Sequence, residues 1–250
     1  MLLVEALRLR TWSLWWAAII AALGILLVAT VSHSSVDVNG SRLNGVPLSL
    51  VMMTPLAMFL AMIYATSAGL SLCREAQTLA LSWTKPVARP LIALRLIAVD
   101  VVAVIAAYIF AWIVILGVIA GCGGTVTGGA DAPAIIALSL GVVLMWYALI
   151  QAVTSALPVN SGVVVGFLWP GAIILAGLHF HINATIDTVI DVLNVFNPIA
   201  YLTNASSSAS SNATIGSFWQ APPDERALIV YALTCVLTAI AIALWTRREA

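Results

Sequence analysis

The chain has 250 residues, 62% of them hydrophobic and only 8% charged, with a formal net charge of zero and a mean hydropathy of +1.10. Soluble domains carry about 25% charged residues. A water-facing surface cannot be built from so few, so the composition excludes a soluble domain and reads as an all-α integral membrane protein forming one transmembrane domain over 1–250. The three cysteines, Cys73, Cys122 and Cys235, form no C-x-x-C pair. They read as small apolar fillers, with no disulfide framework or zinc site implied.

In chain order, residues 1–11 mix Leu2, Leu3, Val4, Leu7 and Leu9 with Glu5, Arg8 and Arg10. This is the pattern of an amphipathic helix lying at the membrane surface. A bilayer span needs about 20 predominantly apolar residues, and six such runs follow, at 12–32, 47–73, 91–121, 132–158, 161–180 and 227–245. The first could imitate a signal peptide behind Arg8 and Arg10 but is read as a retained span. The third is too long for one crossing, so its first turns are expected at the interface. Pro55 and Pro170 should each bend their helices by removing a backbone hydrogen bond.

The connections differ in kind. Residues 34–45 form a polar loop. The Gly-rich "GCGGTVTGG" at 121–129 lacks the Lys and Ser/Thr of a phosphate-binding loop. Residues 158–160 form a tight turn that makes a hairpin of spans four and five. The segment 181–226 begins with apolar residues at helical spacing, Ile186, Val189, Ile190, Leu193 and Phe196, and Pro198 should end that helix. Its second half, "TNASSSASSNATIGS", is Ser-rich. Asn39, Asn183, Asn204 and Asn212 each start a sequon that matters only in a host that glycosylates.

Lys and Arg set the orientation. With the N-terminus inside, Arg8, Arg10, Arg74, Lys85, Arg89, Arg95, Arg247 and Arg248 lie on the inner side, against Arg42 and Arg226 outside. The expectation is a multi-pass protein of the inner or plasma membrane with both termini cytoplasmic.

Little in the spans looks like chemistry. Asp100 is expected near headgroup level, five residues from Arg95 and on another face. Gln151, Thr154 and Ser155 should bond neighbouring helices or backbone. His33, His179 and His181 sit near the outer boundary, and the "HFH" pair points to different faces. Asp187 and Asp191 share a helical face, which reads most simply as solvated. No Ser-His-Asp, H-E-x-x-H or G-x-S-x-G pattern occurs. A permissive apolar pathway, if there is one, falls to Met58, Phe59, Met62 and Thr66 of the second span and to Phe167 and Trp169 of the fifth. Methionine adapts to varied apolar shapes, although ordinary packing explains the same residues. Trp112, Trp146 and Trp169 lie too far from helix ends for an interfacial belt.

The densest charge lies in "REAQTLALSWTKPVARP" at 74–90, where Arg74, Glu75, Lys85 and Arg89 are interleaved with Leu79, Leu81 and Trp83. The charge count makes it cytoplasmic, Pro86 and Pro90 bound a short helix, and Pro90 suits the first turn of the third span. A short helix tied to two spans is a lever.

At these residues the chain resembles the permease subunits of ABC-2-type ATP-binding-cassette transporters. The match consists of Glu75 closing the second span, then Thr78-Leu79, Ser82, Pro86, Ala88-Arg89 and Arg95 opening the third, with Gln77 in place of the usual Gly. The resemblance extends to the N-terminal interfacial helix, the six spans, and short outer helices around "NPIAYL". It implies an exporter subunit, not itself an enzyme, that moves an amphipathic or apolar molecule such as a drug, an antimicrobial peptide or a lipid-linked compound. It implies two permeases, as identical or homologous copies, with two cytoplasmic ATPases that bind ATP and Mg; this chain would hold no cofactor. Arg74, Glu75, Thr78, Leu79, Ser82, Lys85, Pro86 and Arg89 would contact the ATPase. Membrane lipid is the remaining partner, and no nucleic acid is expected. Two other classes stand beside this one: a polytopic membrane enzyme using Asp100 or the outer Asp187, Asp191, His179 and His181, and an ATP-independent immunity or assembly factor.

Overall fold

The computed structural model describes residues 16–17, 19–21, 24, 37–38, 41–42, 48–72, 89–121, 126–127, 131–157, 161–177, 184–201 and 221–248. Its principal elements are α1 (Leu50–Ala68), α2 (Arg89–Gly121), α3 (Ala132–Ala156), α4 (Ser161–Gly177), α5 (Ala184–Val195) and α6 (Pro223–Arg248). Within the first apolar run, Trp16, Ala17, Ile19, Ile20, Ala21 and Gly24 are helical. Helix is what a chain must form where no water can satisfy its backbone.

Among the described residues, α2, α3 and α6 are long and apolar enough to cross a membrane, and α1 and α4 supply shorter apolar helices. The chain is thus an α-helical protein of membrane type. The 33 residues of α2 run unbroken for about 50 Å at 1.5 Å per residue, well beyond a hydrocarbon core of about 30 Å. This excess is what its apolar run predicts.

Two small strand pairings interrupt the helical pattern. β1 (Asp37–Val38) pairs antiparallel with β2 (Ser41–Arg42) inside the expected polar loop. β3 (Leu48–Ser49) pairs in parallel with β4 (Val126–Thr127), in the middle of the Gly-rich segment. That segment is therefore tied to the chain entering α1, which its composition alone does not reveal.

The centre of the bundle is α3. In its most apolar stretch 61% of residues are buried, against 17% in α6. Residues from Gly141 to Ala148 are all buried. Two glycines let neighbours come close. A Cβ at Gly141 would stand 3.2 Å from Val230 and 3.3 Å from Tyr231 of α6, and one at Gly69 would stand 2.7 Å from Ile150 of α3. Hydrogen bonds pin the same layers. Tyr231 donates to the Ala137 carbonyl at 2.9 Å, and Tyr108 of α2 bonds the Ser139 hydroxyl.

Several expected boundaries are corrected. The second span is not one continuous helix over 47–73: α1 ends at Ala68, a turn covers Gly69–Leu70, and helix resumes at Ser71–Leu72. The glycine at the break leaves room for Ile150 of α3, which a Cβ there would meet at 2.7 Å. The sixth helix starts at Pro223 rather than Ala227, with Asp224 and Glu225 in its first turn. Proline at the start and acids beside the positive helix end are favourable there. α3 ends at Ala156, and the described part of α4 at Gly177. Pro55 and Pro170 lie inside helices that continue on both sides. The helix predicted before Pro198 ends at Val195.

Candidate functional site

Along α2 the buried positions are Ala93, Leu96, Ile97, Asp100, Val104, Tyr108, Ala111, Trp112, Ile115 and Ile119. Their spacing of three and four residues is one helical stripe, and Asp100 belongs to it. The carboxylate is 1% exposed, whereas Arg95 points outward. The side chain of Asp100 turns into the bundle.

Three side chains from two other segments meet it there. Ser71, just past the break in α1, donates its hydroxyl proton to Asp100 Oδ2. Tyr147 of α3 donates to the same oxygen at 3.1 Å. Gln151, one turn further along α3, donates through Nε2 to Ser71 Oγ at 2.8 Å and to Tyr147 Oη at 3.0 Å. Asp100 Oδ2 lies 3.5 Å from that nitrogen. An amide has two protons and a hydroxyl one proton to give, so Gln151 feeds both hydroxyls and both hydroxyls feed the carboxylate. The donors are all used, while Gln151 Oε1 is buried without a hydrogen-bond partner among the described residues. The ring joins the ends of α1 and α2 nearest the 73–88 segment to α3.

A second cluster lies five residues back on α1. Thr66 donates to the Met62 carbonyl at 2.8 Å and accepts the indole protons of Trp146 at 2.9 Å and Trp169 at 3.1 Å. The two indole rings meet edge to face, with centroids 4.7 Å apart. Phe59 closes on Trp169 at 5.7 Å. Trp146 directly precedes Tyr147, so the two clusters share one turn of α3.

Of the six residues expected to line a pathway, Phe59, Met62, Thr66 and Trp169 come together around Thr66. Met58 and Met62 are buried in the core, at 4% and 0% exposed. Phe167 stands apart, 74% exposed on the outward face of α4. Of the residues expected to contact an ATPase, Arg74, Glu75, Thr78, Leu79, Ser82, Lys85 and Pro86 lie outside the described residues, and Arg89 is the first residue of α2. Residues 1–11, all three histidines and the four sequon asparagines also lie outside them. Asp187 and Asp191 both fall on α5, one turn apart. Among the described residues no three His, Cys, Asp or Glu side chains gather as a metal site would require.

Near the end of α5, Asn197 donates to the Ala172 carbonyl of α4 at 2.9 Å and accepts from the Ile199 amide at 3.2 Å. Asn194 reaches the Leu175 carbonyl at 3.4 Å. Tyr201 donates to the Val195 carbonyl at 2.9 Å. Burial pushes its phenol pKa up, with Arg226 opposing more weakly, so it remains a neutral donor. These contacts dock "NPIAYL" onto α4.

No protein-family model, no curated protein and no solved structure matches the chain.

Proposed function

We propose that this chain is the membrane subunit of an ABC-2-type exporter, with six spans, both termini cytoplasmic, and work supplied by separate ATPases that bind ATP and Mg. Two copies, or one copy and a homologue, with two ATPases would form the transporter in the inner or plasma membrane. The observation that supports this reading is that Ser71 and Asp100, which flank the motif in the chain, are both hydrogen-bonded to α3. Glu75 to Arg89 join Ser71 to the start of α2, and both flanking ends are clasped to α3 by one hydrogen-bonded cluster.

That arrangement has a mechanical consequence. A push on 74–88 displaces the end of α1 and the beginning of α2 together. Ser71 and Asp100 pass the displacement to Tyr147 and Gln151 on α3. Trp146, the residue before Tyr147, passes it through Thr66 to Trp169 on α4. Alternation between inward- and outward-open forms then needs no charge in the pathway, consistent with an amphipathic or apolar cargo moved outward. A membrane enzyme built on Asp100 would need substrate to reach it, and Ser71, Asp100, Tyr147 and Gln151 are each 1% exposed.

Glu75→Arg, or deletion of 78–84, is expected to abolish both ATPase association and ATP-driven transport. Unchanged association and transport in either variant removes the coupling assignment. Transport or protection without ATP would point instead to an immunity or assembly factor.

A further inference from the structure

Two buried polar atoms on α3, Gln151 Oε1 and Ser155 Oγ, have no hydrogen-bond partner among the described residues. They lie one helical turn apart, where side chains share a face and Cβ atoms stand about 5–6 Å from each other. Leaving such groups unpaired inside a protein is costly. Neither is satisfied by a local adjustment. Turning the Gln151 amide over would set Oε1 against the Ser71 and Tyr147 oxygens, whose protons are already given to Asp100, so acceptors would face acceptors. Ser155 would ordinarily bond the carbonyl one turn back, that of Gln151. That carbonyl already serves the helix and accepts the Thr154 hydroxyl at 3.3 Å, which uses both of its lone pairs.

We propose that one buried water molecule bridges these two side chains. It donates a proton to Gln151 Oε1, and its oxygen accepts the Ser155 hydroxyl proton. Two such bonds of about 2.7–2.8 Å each span the separation that the helix sets. A water held by two to four polar partners is how proteins commonly satisfy buried groups of this kind. Ala148 and Ala152 border the pair on the same face of α3. Neither side chain reaches past its Cβ, so the helix itself leaves the space beside the amide open. The Asp100 ring is then hydrated at its Gln151 corner, on the side toward the end of α3. The water belongs there whether or not the chain is an exporter.

X-ray hydroxyl-radical labelling of the intact chain in nanodiscs, read by mass spectrometry, tests this, because a bound water splits in place and oxidises the nearest reactive side chain. Tyr147 is hydrogen-bonded to Gln151 and should be oxidised several-fold more than Tyr108, although both are buried. Ser155→Val removes the hydroxyl and fills the space, and should bring Tyr147 labelling down to the Tyr108 level. Thermal melts give a second reading, which serves if Ser155→Val fails to insert. Ser155→Ala should lower the melting temperature by about 2–4 °C in the otherwise native chain. In a Gln151→Met background, where the water has lost its acceptor, the same change should do almost nothing. Equal labelling of Tyr147 and Tyr108, labelling that Ser155→Val does not reduce, or an equal Ser155→Ala shift in both backgrounds overturns the proposal.

Discussion

Ser71→Ala tests the Asp100 ring with little change in volume, since a single oxygen is removed. The hydroxyl makes two bonds, donating to the carboxylate and accepting from Gln151 at 2.8 Å. A hydrogen bond to a charged group contributes about 1.5–3 kcal/mol in soluble proteins, and a neutral one about 1 kcal/mol. Inside membranes, measured side-chain bonds average about 0.6 kcal/mol, because the unfolded state in lipid also finds partners. The orphaned Gln151 proton also has Asp100 Oδ2 to fall back on at 3.5 Å. Weighing these, the loss should be about 2 kcal/mol. For a chain of this size that corresponds to a melting shift of about 4–8 °C. Thermal unfolding in nanodiscs reads it, with Ser67→Ala as the control. Ser67 bonds only the Tyr64 carbonyl within its own helix, at 2.7 Å, and its loss should be near zero. If the two variants melt alike, the ring does not hold α1 and α2 to α3.

Other outcomes follow from the same packing. Gly69→Ala places a methyl 2.7 Å from Ile150 Cγ2 and should cost about 1–3 kcal/mol by overpacking, while Gly166→Ala, where a Cβ meets nothing, should be neutral; thermal melts compare them. Thr66→Val leaves the Trp146 and Trp169 indoles without their acceptor and should cost about 1 kcal/mol for each lost bond, with a shifted tryptophan emission. Tyr201→Phe removes the bond to Val195 and should speed amide exchange at the end of α5. Wild-type Tyr201, its phenol pKa raised by burial, should keep that protection through mildly alkaline pH.

The helices were legible where their signal is local. Hydropathy located α2, α3 and α4 to within a few residues, and Pro198 marked the end of the outer helix. The start of α6 was missed because Asp224 and Glu225 lower hydropathy while favouring a helix N-terminus. The break at Gly69 was not legible, and the Ile150 side chain packed against it lies 81 residues away along the chain. Asp100 was read as lying on a different face from Arg95, and it does, but its burial in a polar cluster was not foreseen. Its burial depends on Ser71, Tyr147 and Gln151, which come from two other segments. One signal could have found it. Tyr147, Gln151, Thr154 and Ser155 form a polar stripe at helical spacing inside an apolar span, and such a stripe needs a polar partner. Trp146 and Trp169 stood out as unexplained by an interfacial belt, and their shared acceptor Thr66 now accounts for them.

Affinity purification of the tagged full chain from its native membrane, followed by identification of what comes with it and by transport into inverted vesicles, bears most directly on the exporter reading. A stoichiometric cytoplasmic ATP-binding-cassette ATPase is expected, retained in Ser67→Ala and lost in Glu75→Arg, with uptake that requires ATP. A chain that purifies without an ATPase and functions equally well without ATP contradicts it.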